Sequence, residues 1–320
     1  MKARLALGAG LRLAGAALAV LLLAGCGDAI KDQQLIEENR VLGARVEVQG
    51  DPERASPAPG ESATVRWLVT DPGEPRPLSY AFVVCEAADV ARGLPICAAP
   101  PFASYASGVP RLEEPSFSFT VPEASALTGA ARLVIEGIVC ANGTARLGES
   151  WEDSTCAGAR TQQTLVSMYV LVHRDGRSNQ NPSLGGLPSW LDDEAWPEPE
   201  PDWLDLDACA DGPAELPRVR AGSGNHELRL EPDPGNREPL ADDPLHRPIE
   251  SLQVSHLSTA GLVERPFSVI EGVGVESVVR VSWKAPDRAA RGGELVRFYF
   301  VARDLRGGVD WTVRALCVTP

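Results

Sequence analysis

Three shortages bound this 320-residue chain before any motif is read. Lysine is nearly missing: Lys2, Lys31 and Lys284 are the only three among 30 basic residues. Acids number 44, so the formal net charge is −14. Nucleic-acid binding needs clustered cations that displace counterions from phosphates, so no nucleic-acid partner is expected. Catalytic and metal signatures are lacking as well. No GxSxG, HExxH, P-loop, GxGxxG or CxxC occurs. His173, His226, His246 and His256 are scattered, Gly222-Ser223-Gly224 reads as a turn, and His226-Glu227 has no second His four positions after the first. The carboxylate pairs Glu113-Glu114 and Asp242-Asp243 sit in Pro-rich turns. The chain is therefore read as a non-enzyme with no cofactor and no metal. Long apolar runs are the third shortage: after residue 25 none approaches the ~18 residues of a membrane span.

The N-terminus holds the strongest signal that is present. Residues 1–12 carry Lys2, Arg4 and Arg12 and no acid; residues 13–25 (LAGAALAVLLLAG) are apolar. As a helix that run would span about 20 Å, short of a ~30 Å hydrocarbon core, as a secretory signal should. It ends in Leu23-Ala24-Gly25-Cys26. This resembles the lipobox of bacterial lipoproteins, which implies cleavage before Cys26, a diacylglycerol on its sulfur and acylation of the new amine. The alternative is an ordinary signal peptide with an incidental cysteine. Two or three acyl chains hold a protein on a membrane, where one does not. Loss of residues 1–25 would remove three positive charges and leave −17 over 295 residues. Gly27 rather than Asp follows Cys26, which favours the outer over the inner membrane of the envelope.

Six cysteines remain: Cys85, Cys97, Cys140, Cys156, Cys209 and Cys317. An even number in an exported chain indicates disulfides, and six allow 15 pairings. The expected set is Cys85–Cys97 and Cys140–Cys156, closing short loops beside strand ends. Cys209–Cys317 would then tie the start of a second domain to its last strand.

Thirty glycines and 27 prolines favour turns and short strands. Period-2 segments between turns predict strands at 44–49, 63–70, 79–85, 116–121, 132–140 and 163–173 in a first unit, 43–173. A second unit, 213–320, shows them at 214–220, 225–231, 250–258, 265–270, 276–284, 294–303 and 309–318. In its last strand Trp311, Val313 and Cys317 are expected on the inner face. The fold class expected is all-β, two immunoglobulin-like β-sandwich domains. Residues 26–42 would be a lipidated tether.

The stretch Val41–Asp71 (VLGARVEVQGDPERASPAPGESATVRWLVTD) resembles the opening of the immunoglobulin-like domain in uncharacterised lipoproteins of myxobacterial type. Phe298–Val318 (FYFVARDLRGGVDWTVRALCV) resembles their closing hairpin. The likeness implies strands and turns and supplies no site residue.

Between the units, 174–212 reads as an acidic, Pro/Trp-rich linker with Trp190, Trp196 and Trp203 spaced six and seven apart. Its indoles either offer a contact surface to an envelope protein or glycan, or pack on the flanking sandwiches. Asp205-x-Asp207-x-x-x-Asp211-Gly212 hints at calcium but lacks the closing Glu and places Cys209 at an oxygen-ligand position. The chain as a whole reads as a lipid-anchored envelope protein, a structural or protein-interaction module without catalysis. A carbohydrate-binding module using the linker tryptophans is the alternative.

Overall fold

In the computed structural model, residues 33–320 are described, apart from 74–75, 89–95, 99, 113, 128–131, 174–177, 206–208, 234–236, 241–247 and 274–277. Cys26 and residues 1–25 lie outside the described residues, as do Glu113, Asp207, Asp242, Asp243 and His246. Described strands are numerous and short, and no α-helix occurs among the described residues.

The first sandwich pairs a sheet of β1 (Arg40–Val48), β2 (Ser62–Thr70) and β5 (Ser116–Thr120) with a second sheet. The second is ordered β4 (Ala103–Ala106), β3 (Leu78–Glu86), β6 (Arg132–Ala141) and β9 (Gln162–Leu171). A ribbon of β7 (Thr144–Arg146) and β8 (Thr155–Ala157) projects beside them. Alternation buries Val65, Trp67, Phe82, Phe117 and Ile135 between the sheets. Trp67 stacks on Phe82 at 4.8 Å, and Phe82 on Phe117 at 5.1 Å. Gly137 stands opposite Phe82 in the β3–β6 register. A Cβ there would come within 2.9 Å of Phe82 Cα, so the close approach needs glycine.

The second sandwich has one sheet ordered β11 (Glu194–Ala195), β10 (Ser189–Leu191), β13 (Asn225–Leu230), β17 (Val279–Lys284) and β15 (Leu262–Val263). The other is ordered β12 (Arg218–Arg220), β19 (Val309–Thr319), β18 (Glu294–Arg303), β14 (Leu252–Ser258) and β16 (Phe267–Ile270). β12 runs parallel to β19, and every other pairing between named strands in this sandwich is antiparallel. The core holds Leu228, Trp283, Phe298, Phe300 and Leu316. Disulfides join Cys85–Cys97, Cys140–Cys156 and Cys209–Cys317, the pairs expected from the sequence.

Two features differ from the reading of separate domains on a spacer. First, the linker belongs to the second sandwich. β10 pairs with β13, and Leu184, Leu187, Leu191 and Trp196 enter its core. Buried Arg314 seats this segment: it donates to the Leu187 carbonyl (3.1 Å) and Ser189 Oγ (3.0 Å), and it pairs with Glu198 (3.2 Å). Asn179 and Asn181 stitch its start to both sandwiches, through Asp304 Oδ2 (2.7 Å) and the Val46 carbonyl (2.7 Å). Burying a guanidinium is costly unless it is paired and hydrogen-bonded, and the acidic linker supplies Glu198 as that partner.

Second, a third apolar layer lies between the sandwiches. Leu42 and Leu68 of the β1-β2-β5 sheet pack with Leu257, Tyr299 and Val301, and Val309, Trp311 and Val313 close around them. Arg45 adds an ion pair across the junction to Asp310 at 2.9 Å. Trp311 and Val313 thus share a face, as expected, but that face meets the first sandwich. The opposite face of β19 supplies Leu316 and Val318 to the second core. The chain 33–42 is likewise no free tether: Ile36 is buried in the junction, and its N–H donates to the Ser258 carbonyl at 2.9 Å. Residues Gln33–Pro320 form one unit of four stacked sheets.

Candidate functional site

The three linker tryptophans do not form one platform. Trp196 is 2 % exposed. Its Nε1 donates to the Ala315 carbonyl at 2.8 Å, and its ring meets Phe298 edge-on at 5.1 Å. It is a core residue, which corrects its assignment as a partner contact. Proline-rich composition concealed it, because loop-borne core residues follow no period. Trp190 on β10 is half-buried beneath the Arg229 guanidinium, 4.3 Å from the ring centre. Trp203 is half-buried against the Cys209–Cys317 bridge and Leu216. Asp207 of the calcium-like run lies outside the described residues, and nothing is described of the Asp205 side chain. Among the described residues no group of three or more His, Cys, Asp or Glu could hold a metal ion.

One constellation was not legible in the sequence. The β10–β11 turn holds Asp192 and Asp193 at φ 50° and 67°. Asp192 Oδ2 lies 2.5 Å from His226 Nδ1, and His226 Nε2 lies 2.7 Å from Ser223 Oγ. Asp192 Oδ1 accepts the Glu227 N–H at 2.8 Å. Carboxylate, imidazole and hydroxyl in series have the connectivity of a nucleophile–base pair. The hydroxyl, however, donates to the Arg220 carbonyl at 2.6 Å. The cavity beside His226, about 330 Å³, is lined by Asn225, Glu264 and Arg280 and not by Ser223. With the hydroxyl proton committed to a carbonyl, the series fastens the β10–β11 turn onto β13.

The junction between the sandwiches offers the other site. A cavity of about 430 Å³ opens between the edge strands β1 and β9, walled by Trp67, Val166, Met168 and Arg303. A second, of about 380 Å³, is lined by Gln33, Arg40, Gln253, Ser255, Phe267 and Arg303 among others. They share Val41, Leu42 and Arg303, and among the described residues no carboxylate lines either. Arg303 Nη1 donates to Ser255 Oγ at 3.0 Å and Nη2 to the Leu42 carbonyl. Arg40 Nη1 donates to the carbonyls of Gln33 (2.8 Å) and Leu35 (3.4 Å). Neither forms an ion pair among the described residues. Burial alone pulls the Arg303 guanidinium below its ordinary value. Burial likewise brings His256, on the wall of the second cavity, down to about 4, so its ring is neutral at pH 7. Elsewhere Arg45, Arg54, Arg76, Arg306 and Arg314 each meet a carboxylate within 3.5 Å. A smaller cavity of about 140 Å³ at the junction mixes Asp71 and Glu114 with Arg76 and Arg297.

No protein-family model matches this chain. No curated protein matches it either. Among solved structures it is similar to Escherichia coli alpha-2-macroglobulin activated by porcine elastase, at 10% identity and a TM-score of 0.22. That alignment covers 91% of this chain and 23% of the other, so the chain spans about a quarter of its neighbour's length, and so distant a likeness carries no argument.

Proposed function

We propose that this chain is a lipid-anchored protein of the bacterial cell envelope, held through Cys26 in the outer rather than the inner membrane. It works there by contact, as a structural or protein-interaction module without catalysis. The observation that carries the reading is Leu23-Ala24-Gly25-Cys26 at the end of a short apolar run with a cationic start. Three disulfides support it, because such bonds persist where thiols are not kept reduced. Fusion of the two sandwiches supports a contact role, since it fixes the relative positions of loops from both. The carbohydrate-binding alternative loses Trp196, which is unavailable to a sugar. The test is metabolic labelling with a radioactive fatty acid, followed by membrane fractionation. The parent should label and sediment with membranes, and Cys26→Ala should do neither. Equal membrane partitioning of the two would overturn the anchor.

A further inference from the structure

The cavity of Arg40 and Arg303 stands out by its charge. The chain carries a net −14, yet among the described residues two guanidinium groups with no ion pair line one groove and no carboxylate does. Glu37 and Glu38, exposed on the same segment, are not part of its wall. Five N–H groups per guanidinium leave donors over after the bonds to Gln33, Leu35, Leu42 and Ser255. A cationic groove with spare donors is complementary to an oxyanion.

Its rim is apolar. In the β14–β16 register Phe267 stands opposite Ser255 and Val269 opposite Gln253. Both polar partners line the groove, so Phe267 and Val269 share its face, 45 % and 49 % exposed. Gln33 also lines it, and Gln33 is seven residues after Cys26. Seven residues reach at most about 25 Å. An acyl chain on Cys26 would therefore keep this face within that distance of a bilayer.

We propose that this face docks on an anionic phospholipid surface, with a headgroup phosphate received between Arg40 and Arg303 and with Phe267 and Val269 resting at the acyl boundary. Guanidinium groups bind phosphate oxygens through paired N–H donors, and apolar side chains beside them gain by leaving water. The proposal takes from the lipid-anchor reading only the nearness of a bilayer. The docking itself belongs to the folded body.

The test uses the chain from residue 26 onward with Cys26→Ser, so that no acyl chain contributes. Cosedimentation is measured with phosphatidylcholine vesicles, pure or with about one part in three phosphatidylglycerol. The body should bind the anionic vesicles, and salt should weaken the binding. Arg40→Gln with Arg303→Gln should cost about 30-fold, roughly fivefold per guanidinium. Arg40→Lys with Arg303→Lys should keep most of the affinity. Should Arg303→Gln unfold the protein, Arg40→Gln with Phe267→Ser leaves the junction intact and should still lower binding at least fivefold. Absent binding by the parent, or undiminished binding by the glutamine variant or its stand-in, would overturn the proposal. So would glycerol phosphate bound from solution as tightly as vesicles are, which would make the groove a site for a free phosphate ester. Failure here leaves the labelling result on Cys26 standing, and an unlabelled Cys26 would leave vesicle binding by the body standing.

Discussion

Trp196→Ala separates a core tryptophan from a contact tryptophan by a wide margin. The indole lies in the second core with its edge toward Phe298 and Phe300, at 5.1 and 6.2 Å. Truncating a buried Trp to Ala typically costs about 3–5 kcal/mol, from lost transfer energy and the cavity left behind. The Ala315 carbonyl also loses the Nε1–H it accepts at 2.8 Å, which adds about 1 kcal/mol where water cannot replace the donor. The total is about 4–6 kcal/mol, a large fraction of the 5–15 kcal/mol that stabilises an ordinary domain. The cost of Trp190→Ala is smaller: a half-buried ring and one guanidinium contact, about 1–2 kcal/mol. Urea unfolding followed by far-ultraviolet circular dichroism measures both. Trp196→Ala should move the midpoint far to lower denaturant, and Trp190→Ala only slightly. If Trp196→Ala stays within about 1 kcal/mol of the parent, the segment 184–198 is a dispensable spacer after all, and its place in the second core is refuted.

Two further outcomes follow from the same structure. Cys209→Ala with Cys317→Ala opens a loop with a sequence separation of 108. The chain-entropy account puts the loss at about 4–5 kcal/mol, and mass mapping without reductant should recover this pair linked in the parent. Glu250 is buried, and burial outweighs the Glu238 N–H it accepts, so its carboxyl is pushed up to about 7. Its folded value stands above the ~4.3 of an unfolded glutamate. Its contribution to stability is therefore complete below about pH 4.3 and is lost as pH rises through 7. Between pH 5 and 8 the parent should lose stability relative to Glu250→Gln, and parallel pH profiles of the unfolding midpoint would refute this.

Strands that alternate were readable. β2, β3, β6, β13, β17 and β18 fall within a residue or two, or three at most, of their predicted limits. Their side chains obey a period that one sequence displays. β10 and β11 were not readable, because three and two residues are too few to show a period. The junction layer was half visible. In β18 both faces are apolar, Phe298 and Phe300 on one and Tyr299 and Val301 on the other. A strand apolar on both faces is covered on both faces. Read by that rule, 294–303 signals the junction layer from the sequence alone. Of the candidate site nothing was legible. Arg303 and Leu42 meet across 261 positions, and no spacing rule joins residues so far apart.

The junction layer also bears on the proposed contact role. Sandwiches joined by a Pro-rich spacer would sample many orientations and bind as two tethered modules, gaining from effective concentration alone. Here the connecting segment is consumed. Asn179 and Asn181 bind both sandwiches, Arg314 holds Leu187 and Ser189, and Arg45 reaches Asp310 across the junction. Orientation is fixed during folding, so a partner that touches both sandwiches loses no affinity to ordering them. The same rigidity is what allows Arg40, from the first sandwich, and Arg303, from the second, to face one groove at all. A hinge at the junction would separate the two guanidinium groups. Weakening the apolar layer, as by Tyr299→Ala, should therefore abolish vesicle binding without touching either arginine.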